Sequence, residues 1–188
     1  HLTDFYATAQ LDVTRNEDED GHTRYTFTDH RGHSILVREI AERDTLDTYY
    51  VYDDYNNLCF VLPPAALTHS HTGNLPEISQ ETLDMYAYQY RYDNRNRCII
   101  KKLPGCEPKE MIYDTNNQLI FTQDGEQRKR NEWNITLSDL TGRQAVSGIY
   151  RGTPDRKKCE IENIYAVFDP TAENHLHGYK LNLPEHIS

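Results

Sequence analysis

Hydrophobic and polar residues alternate along most of this chain with a period of two, the pattern of half-buried strands. One short motif interrupts the alternation repeatedly. Aligned on an aspartate, five segments share a frame: YTFTDHRGHSIL from Tyr25, YVYDDYNNLCF from Tyr50, YRYDNRNRCII from Tyr90, MIYDTNNQLIF from Met111 and ITLSDLTGRQAV from Ile135. Each has an apolar alternating run, an Asp, two variable residues, Gly or Asn, and a second apolar run. The acids are Asp29, Asp53, Asp93, Asp114 and Asp139; three residues on stand Gly32, Asn56, Asn96, Asn117 and Gly142.

This spacing predicts a tight reversal. The Asp side chain can accept N–H bonds from the residues that follow it. The fourth position needs a left-handed backbone, which Gly takes freely and Asn tolerates. A type I turn closed by such a residue joins two antiparallel strands with a bulge. D-x-x-[GN] alone is weak, since Asp18–Gly21 and Asp54–Asn57 also match; five copies flanked by apolar runs make a repeat. The copies fall into two kinds. In the middle three, apolar residues precede Asp by one and three positions; in the first and last, by two and four. That change of phase predicts two hairpin subtypes showing opposite faces, with different turn lengths or a bulge.

The longest interval, between Asp53 and Asp93, holds an insertion, Leu62–Leu75, with Pro63, Pro64, His69, His71 and Gly73. Ser79 then offers an N-cap, and Leu83, Tyr86, Ala87 and Tyr90 keep helical spacing, so one short helix is predicted over Gln80 to Tyr86. Gln10–Arg15 and Thr23–Thr28 predict a hairpin around NEDEDG. After Gly152 the pattern decays, with a strand expected in Lys158–Phe168 and a loop over Asp169–Gly178. The expected architecture is all-β: repeated antiparallel hairpins stacked into a curved or spiralling sheet, with one short helix in an insertion. Residues 1–188 form a single array, clearest over 23–152, with 153–188 a degenerate strand and loop segment.

Composition sharpens this picture. Of 188 residues only 37% are hydrophobic, yet 14 are Tyr, whose rings can cover a core while their hydroxyls stay wet. A net charge of −10 disfavours nucleic-acid phosphates. No apolar run is long enough to span a membrane and none at the start reads as a signal segment. The chain opens at His1 without Met and is expected to be a mature or excised piece. Cys59, Cys98, Cys106 and Cys159 include no C-x-x-C, which disfavours a zinc ribbon or redox motif; their pairing stays open.

Candidate chemistry is sparse. The tyrosines Tyr50, Tyr52, Tyr90, Tyr92 and Tyr113 form a ladder that could stack on sugars, but the favoured reading is rings filling the sheet core. Asp18 and Asp20 in NEDEDG lack the ligand spacing and closing Glu of a calcium loop. The pairs His30/His33, His69/His71 and His175/His177 have no third ligand at fixed spacing and read as surface histidines. Asn134-Ile135-Thr136 is a sequon, and Asp169-Pro170 stands without a protease motif around it. No nucleophile elbow, phosphate loop, dinucleotide fingerprint or H-E-x-x-H is present, so no enzymatic activity, cofactor or metal is expected.

The units YVYDDYNNL, YRYDNRNRCIIKKLPG and IYDTNNQLIFTQDG resemble the YD repeats of the RHS family, which have the shape Y-x-Y-D-x-x-G-R-L followed by apolar residues and a Gly. With EDGHTRYTFTDHRGH upstream and LPG, QDG and LTGR, the arrangement is similar to long RHS-type proteins of Bacteroidetes over Thr23 to Gly152. Asn replaces the family's Gly in three copies, and the following Arg is kept only as Arg97 and Arg143. The resemblance implies hairpins stacked into a spiralling sheet, which in toxin complexes closes into a hollow shell around a C-terminal toxin and in teneurins forms an extracellular barrel. It also implies a non-catalytic wall segment of an exported or surface protein. Its partners would be the rest of its own chain, or a glycan in the adhesion alternative. Neither the family's self-cleaving core nor a variable toxin tip is seen. A slice of such a wall has exposed strand edges, so the C-terminal edge is expected to self-associate, or to be covered by Asn163–Leu183 folding back.

Overall fold

The computed structural model describes residues 6, 9–41, 44–68, 78–183 and 187. Eleven strands follow one another in chain order through one sheet: β1 (Leu11–Glu17), β2 (Thr23–Asp29), β3 (Ser34–Ala41), β4 (Asp44–Tyr52), β5 (Leu58–Leu62), β6 (Tyr88–Tyr92), β7 (Cys98–Lys102), β8 (Lys109–Tyr113), β9 (Leu119–Gln123), β10 (Glu132–Ser138) and β11 (Gln144–Arg151). A separate antiparallel pair, β12 (Tyr165–Phe168) and β13 (Tyr179–Asn182), follows. The all-β architecture expected from the alternation is the one observed. The chain divides into two compact units, His1–Tyr90 with Lys102–Cys106, and Arg91–Lys101 with Glu107–Ser188.

In the first unit one face of the strands carries the row Phe27, Leu36, Tyr49, Leu62, each opposite the next. Two short helices, α1 (Pro64–Thr68) and α2 (Gln80–Tyr86), bury this face around Leu62, Ala66 and Ala87. The helix read from Ser79 has the expected bounds. Ser79 Oγ accepts the Thr82 N–H at 3.1 Å, and at the other end Lys102 Nζ (2.7 Å) and Gly105 N–H (3.0 Å) donate to the Asp84 carbonyl, satisfying a terminal acceptor. Helix α1 was not expected, since only the helix from Ser79 was read in the insertion; Pro64 suits a first helical turn. His69, His71 and Gly73 lie outside the described residues.

In the second unit Ile112, Ile120, Phe121, Trp133 and Leu137 of the sheet form a core with Cys159, Ile164, Ala166 and Ile187. Helix α3 (Gly125–Lys129) starts at a capping box in which Asp124 and Gln127 each bond the other's backbone N–H. Helix α4 (Arg156–Ile161) starts at Asp155. It replaces the first half of the strand expected in Lys158–Phe168; Asp155 caps it and Cys159, fully buried, anchors it. Burial pushes the Cys159 thiol up to about 11. The expected loop over Asp169–Gly178 is present, with one isolated bridge, Leu176 to Tyr179.

The C-terminal segment does fold back, but onto a face and not an edge. β12 packs over β10, and Arg156 Nη1 donates to the Met111 carbonyl at 2.8 Å, fixing α4 on β8. β11 ends the strand order and pairs with β10 alone among the described residues. The reason is apolar area: the inward residues of β8–β10 are all large, and each needs cover. Burying an Ile or Phe contributes roughly 1.5–3 kcal/mol. Truncation after Gly152 removes Cys159, Ile164, Ala166 and Ile187, so the second unit is predicted to lose at least about 5 kcal/mol. Its melting transition should vanish and a hydrophobic dye should bind; an unchanged melt without dye binding would refute this account of the core.

Candidate functional site

The repeated turns are the most ordered chemistry in the molecule. In each, one carboxylate oxygen (Oδ1) accepts the N–H groups two and four residues on: Arg31 and His33 on Asp29, both at 2.9 Å; Tyr55 and Asn57 on Asp53, at 2.9 and 2.8 Å. The same holds for Arg95 and Arg97 on Asp93, Asn116 and Gln118 on Asp114, and Thr141 and Arg143 on Asp139. The residue in fourth place is left-handed every time, with φ of 86° at Gly32, 68° at Asn56, 58° at Asn96, 64° at Asn117 and 83° at Gly142. Asp18 builds the same turn, accepting from Asp20 and His22 with Gly21 at φ 81°. The hairpin expected around NEDEDG is present, and its match at Asp18 is a sixth copy of the turn, without a bulge in the strands that follow.

The two expected subtypes are not found. The outer and inner copies share the turn and also a bulge, with Ile35, Cys59, Ile120 and Ala145 each an extra residue after the turn. Two residues then oppose one on the partner strand, so both point the same way. Ile120 and Phe121 are adjacent yet 1% and 0% exposed, both facing the core beside Ile112. In these four copies the residue two before Asp meets the one seven after it: Phe27 with Leu36, Val51 with Phe60, Ile112 with Phe121, Leu137 with Val146; at Asp18, which has no bulge, Asn16 meets Arg24 instead. Apparent phase in the sequence reflects which face happens to be tyrosine, not a shift of the hairpin. In the third copy that position is Arg91, which is exposed.

The five ladder tyrosines therefore do not fill the buried clusters, against which Tyr49, Tyr86, Tyr150 and Tyr179 pack instead. Tyr50, Tyr52 and Tyr113 alternate with Val51 and Ile112 and lie on the opposite face; Tyr90 and Tyr92 belong to neither cluster, and all five are half-buried. Tyr52 Oη donates to the Ser34 carbonyl (3.3 Å) and Tyr113 Oη to the Cys98 carbonyl (3.0 Å), in each case five residues past the preceding copy's Asp. His33 stacks on Tyr52 at 4.5 Å between centroids, and the Arg97 guanidinium lies 5.0 Å from the Tyr113 ring centre. Burial raises both phenol pKa values. The Asp53 and Asp114 hairpins are thus each locked to the preceding one by a ring and a hydroxyl.

The second carboxylate oxygen takes the side chain four residues on: Asn57 on Asp53 (3.0 Å), Arg97 on Asp93 (2.7 Å), Arg143 on Asp139 (3.0 Å), with His33 Nδ1 3.2 Å from Asp29. Asp114 is the exception. It is fully buried, its second oxygen receives the Ile164 N–H at 3.4 Å, and Gln118 instead accepts from Ser138. Arginines join neighbouring turns. Arg31 donates to Asn56 Oδ1 (2.9 Å), Arg95 to the Thr115 carbonyl (3.1 Å), and Arg97 to the Asp114 carbonyl (2.9 Å) and Asn117 Oδ1 (3.2 Å). The sequence frame flagged Arg97 and Arg143 but not Arg31 or Arg95, which sit at a variable position. Asn in fourth place does more than tolerate positive φ: at 56 and 117 it is the acceptor for these links.

The remaining candidates are placed as follows. Asp18 commits its oxygens to its own turn, Gly178 N–H donates to His175 Nδ1 at 3.0 Å, and Asp169 bonds Thr171 within a turn. Asn134 is exposed in mid-β10, and all four cysteines are free thiols. No group of three metal-ligating side chains is found among the described residues. No helix among them is long and apolar enough to cross a membrane.

The fold is similar to part of TcdB2-TccC3 in its crystal structure, with a TM-score of 0.55 and 16% identity over 87% of this chain and 8% of that one. It is equally similar to the crystal structure of TcdB2-TccC3-Cdc42 (TM-score 0.55, 15% identity, 76% of this chain and 7% of that one). The Photorhabdus luminescens Tc holotoxin pore with a mutated TccC3 gives a TM-score of 0.52 at 15% identity, over 82% and 7% of the two chains. The likeness is one of fold, and this chain spans less than a tenth of those chains. No protein-family model and no curated protein sequence matches it.

Two outcomes follow from the turns. Asn117→Val places a β-branched residue at φ 64° and should cost about 1–2 kcal/mol or more. Asn117→Gly keeps the backbone but removes the Arg97 acceptor, so it should melt between Val and wild type; a glycine variant as stable as wild type would show the lateral bond to be idle. The second outcome concerns acid. At Asp53 the Asn57 amide and backbone N–H groups lower the pKa; at Asp29 and Asp93 burial raises it, but hydrogen bonds from His33 and Arg97 outweigh burial and the net is again lowered. Their folded values lie below the unfolded value of about 3.9. Their contribution is thus full above about pH 4 and lost as pH falls through the folded values. Thermal melts from pH 7 to 2 should stay level to about pH 4.5 and then drop, with a shallower drop in Asp93→Asn; rising stability below pH 4 would contradict this.

Proposed function

We propose that this chain is a non-catalytic structural segment of a larger exported RHS-type protein, one stretch of a hairpin wall that scaffolds or encloses a C-terminal effector. The supporting observation is the hairpin-to-hairpin lock, in which Tyr52 and Tyr113 donate to carbonyls of the preceding unit. Side chains that would carry chemistry in an enzyme are committed here to holding turns and joining them. The likeness in fold to stretches of toxin assemblies supports the same reading at the level of architecture. The adhesion alternative needs the tyrosines as an open platform, whereas all five are half-buried, and Tyr52 and Tyr113 are hydrogen-bonded and packed against His33 and Arg97.

The test uses the full-length product of the gene. Limited proteolysis should leave the polypeptide downstream of the hairpins intact until denaturant opens the wall, then release it in fragments. Cleavage of that region at the same rate before and after opening, or the absence of any downstream polypeptide, would overturn the enclosing role. Turnover in a broad hydrolase screen of the purified chain would overturn the non-catalytic one.

A further inference from the structure

The second unit has a cleft of about 330 Å³ that the hairpin stacking does not use, at the small end of the range for ligand sites. Three segments meet there. The Asp114 turn brings Asn116 and Gln118, the Asp139 turn brings Ser138, Leu140 and Thr141, and the approach to β12 brings Asn163 and Tyr165.

Its chemistry is narrow. The lining includes no Lys, Arg or His, so a phosphate or carboxylate would find no countercharge. Its one carboxylate, Asp139, already accepts from Thr141 and Arg143 through both oxygens, so a metal ion would find no available acid. A lipid or other apolar ligand would find too little apolar wall, which is limited to Leu140, Tyr165 and the almost fully buried Ile164. What remains is amides and hydroxyls. Asn116 Nδ2 donates to Asn163 Oδ1 at 2.6 Å, and Asn182 Nδ2 donates to the Asn163 carbonyl at 2.7 Å. These bonds fix the asparagines and leave Asn116 Oδ1 as an acceptor and Asn163 Nδ2 as a donor. Ser138 donates to Gln118 Oε1 at 3.4 Å, which leaves Gln118 Nε2 as a second donor. The half-buried ring of Tyr165 stands beside them.

Sugar hydroxyls both donate and accept, which suits fixed amides, and the C–H face of a sugar ring packs on an aromatic one. We propose that this cleft binds a neutral saccharide of one or two units, with Asn116, Gln118 and Asn163 bonding hydroxyls and Tyr165 packing against the ring face. None of the tyrosines Tyr50, Tyr52, Tyr90, Tyr92 and Tyr113 lines it. The proposal is independent of whether the hairpins enclose an effector.

The test is an amide chemical-shift titration of the intact chain with glucose, galactose, mannose and N-acetylglucosamine and their β-linked disaccharides. At least one sugar should give saturable shifts at residues 116–118, 138–142 and 163–165, with a Kd of about 1–10 mM. Gln118→Ala and Tyr165→Leu should each weaken binding about tenfold, and Asn134→Ala, which lies outside the cleft, should not. If Tyr165→Leu fails to fold, Gln118→Ala decides alone. The proposal is overturned if no sugar shifts these amides, if shifts map to the tyrosine ladder instead, or if Gln118→Ala binds as wild type.

Discussion

Everything in this fold depends on one carboxylate oxygen accepting two backbone N–H groups. In each of six turns the Asp Oδ1 holds the amides two and four residues on, which ends one strand and starts the next within five residues. The backbone must pass through positive φ to close that loop, so Gly or Asn stands in fourth place. Once the turn is closed, register follows without further choice, because the Asp N–H bonds the carbonyl four residues on.

Register alone would place adjacent apolar residues on opposite faces. The bulge after the turns at Asp29, Asp53, Asp114 and Asp139 prevents this by letting two neighbours face the same way, whereas the strands on either side of the Asp18 turn pair without one. That is how a run such as Leu119–Ile120–Phe121 delivers two side chains to one core. The two faces of the strands then differ in what they do. One buries Leu62 or Phe121 under helices and a returning segment. The other carries Tyr52 and Tyr113, whose rings and hydroxyls tie the Asp53 and Asp114 hairpins to the ones before.

The Asp114 turn shows how the pattern is adapted. Its carboxylate is the one fully buried, and a backbone N–H from Ile164 takes the place that a side chain fills at Asp53, Asp93 and Asp139. Thr115 N–H also donates to the Glu162 carbonyl, so the C-terminal segment is held by polar bonds as well as by Cys159, Ile164 and Ala166. The same docking leaves the Asn116–Asn163 amide pair in the cleft assigned to a saccharide.

By itself the sequence determined the strands of the repeated hairpins, the five framed turns and the helix from Ser79, because each follows from local chemistry: alternation, an Asp that bonds forward, a cap. It placed a hairpin around Asp18 without counting that turn among the framed copies, and it did not show the helices that start at Pro64 and after Asp124 and Asp155. Which face of the tyrosine strands is core could not be read at all. Tyrosine favours either a buried or a half-wet surface, and the bulge that sets the phase is a property of strand pairing. Only the tertiary structure decided that Val51 and Ile112 face inward and Tyr52 and Tyr113 lock the hairpins. It alone placed Ile164 on Asp114, fifty residues away in sequence, because no local signal links a buried carboxylate to the amide that will satisfy it.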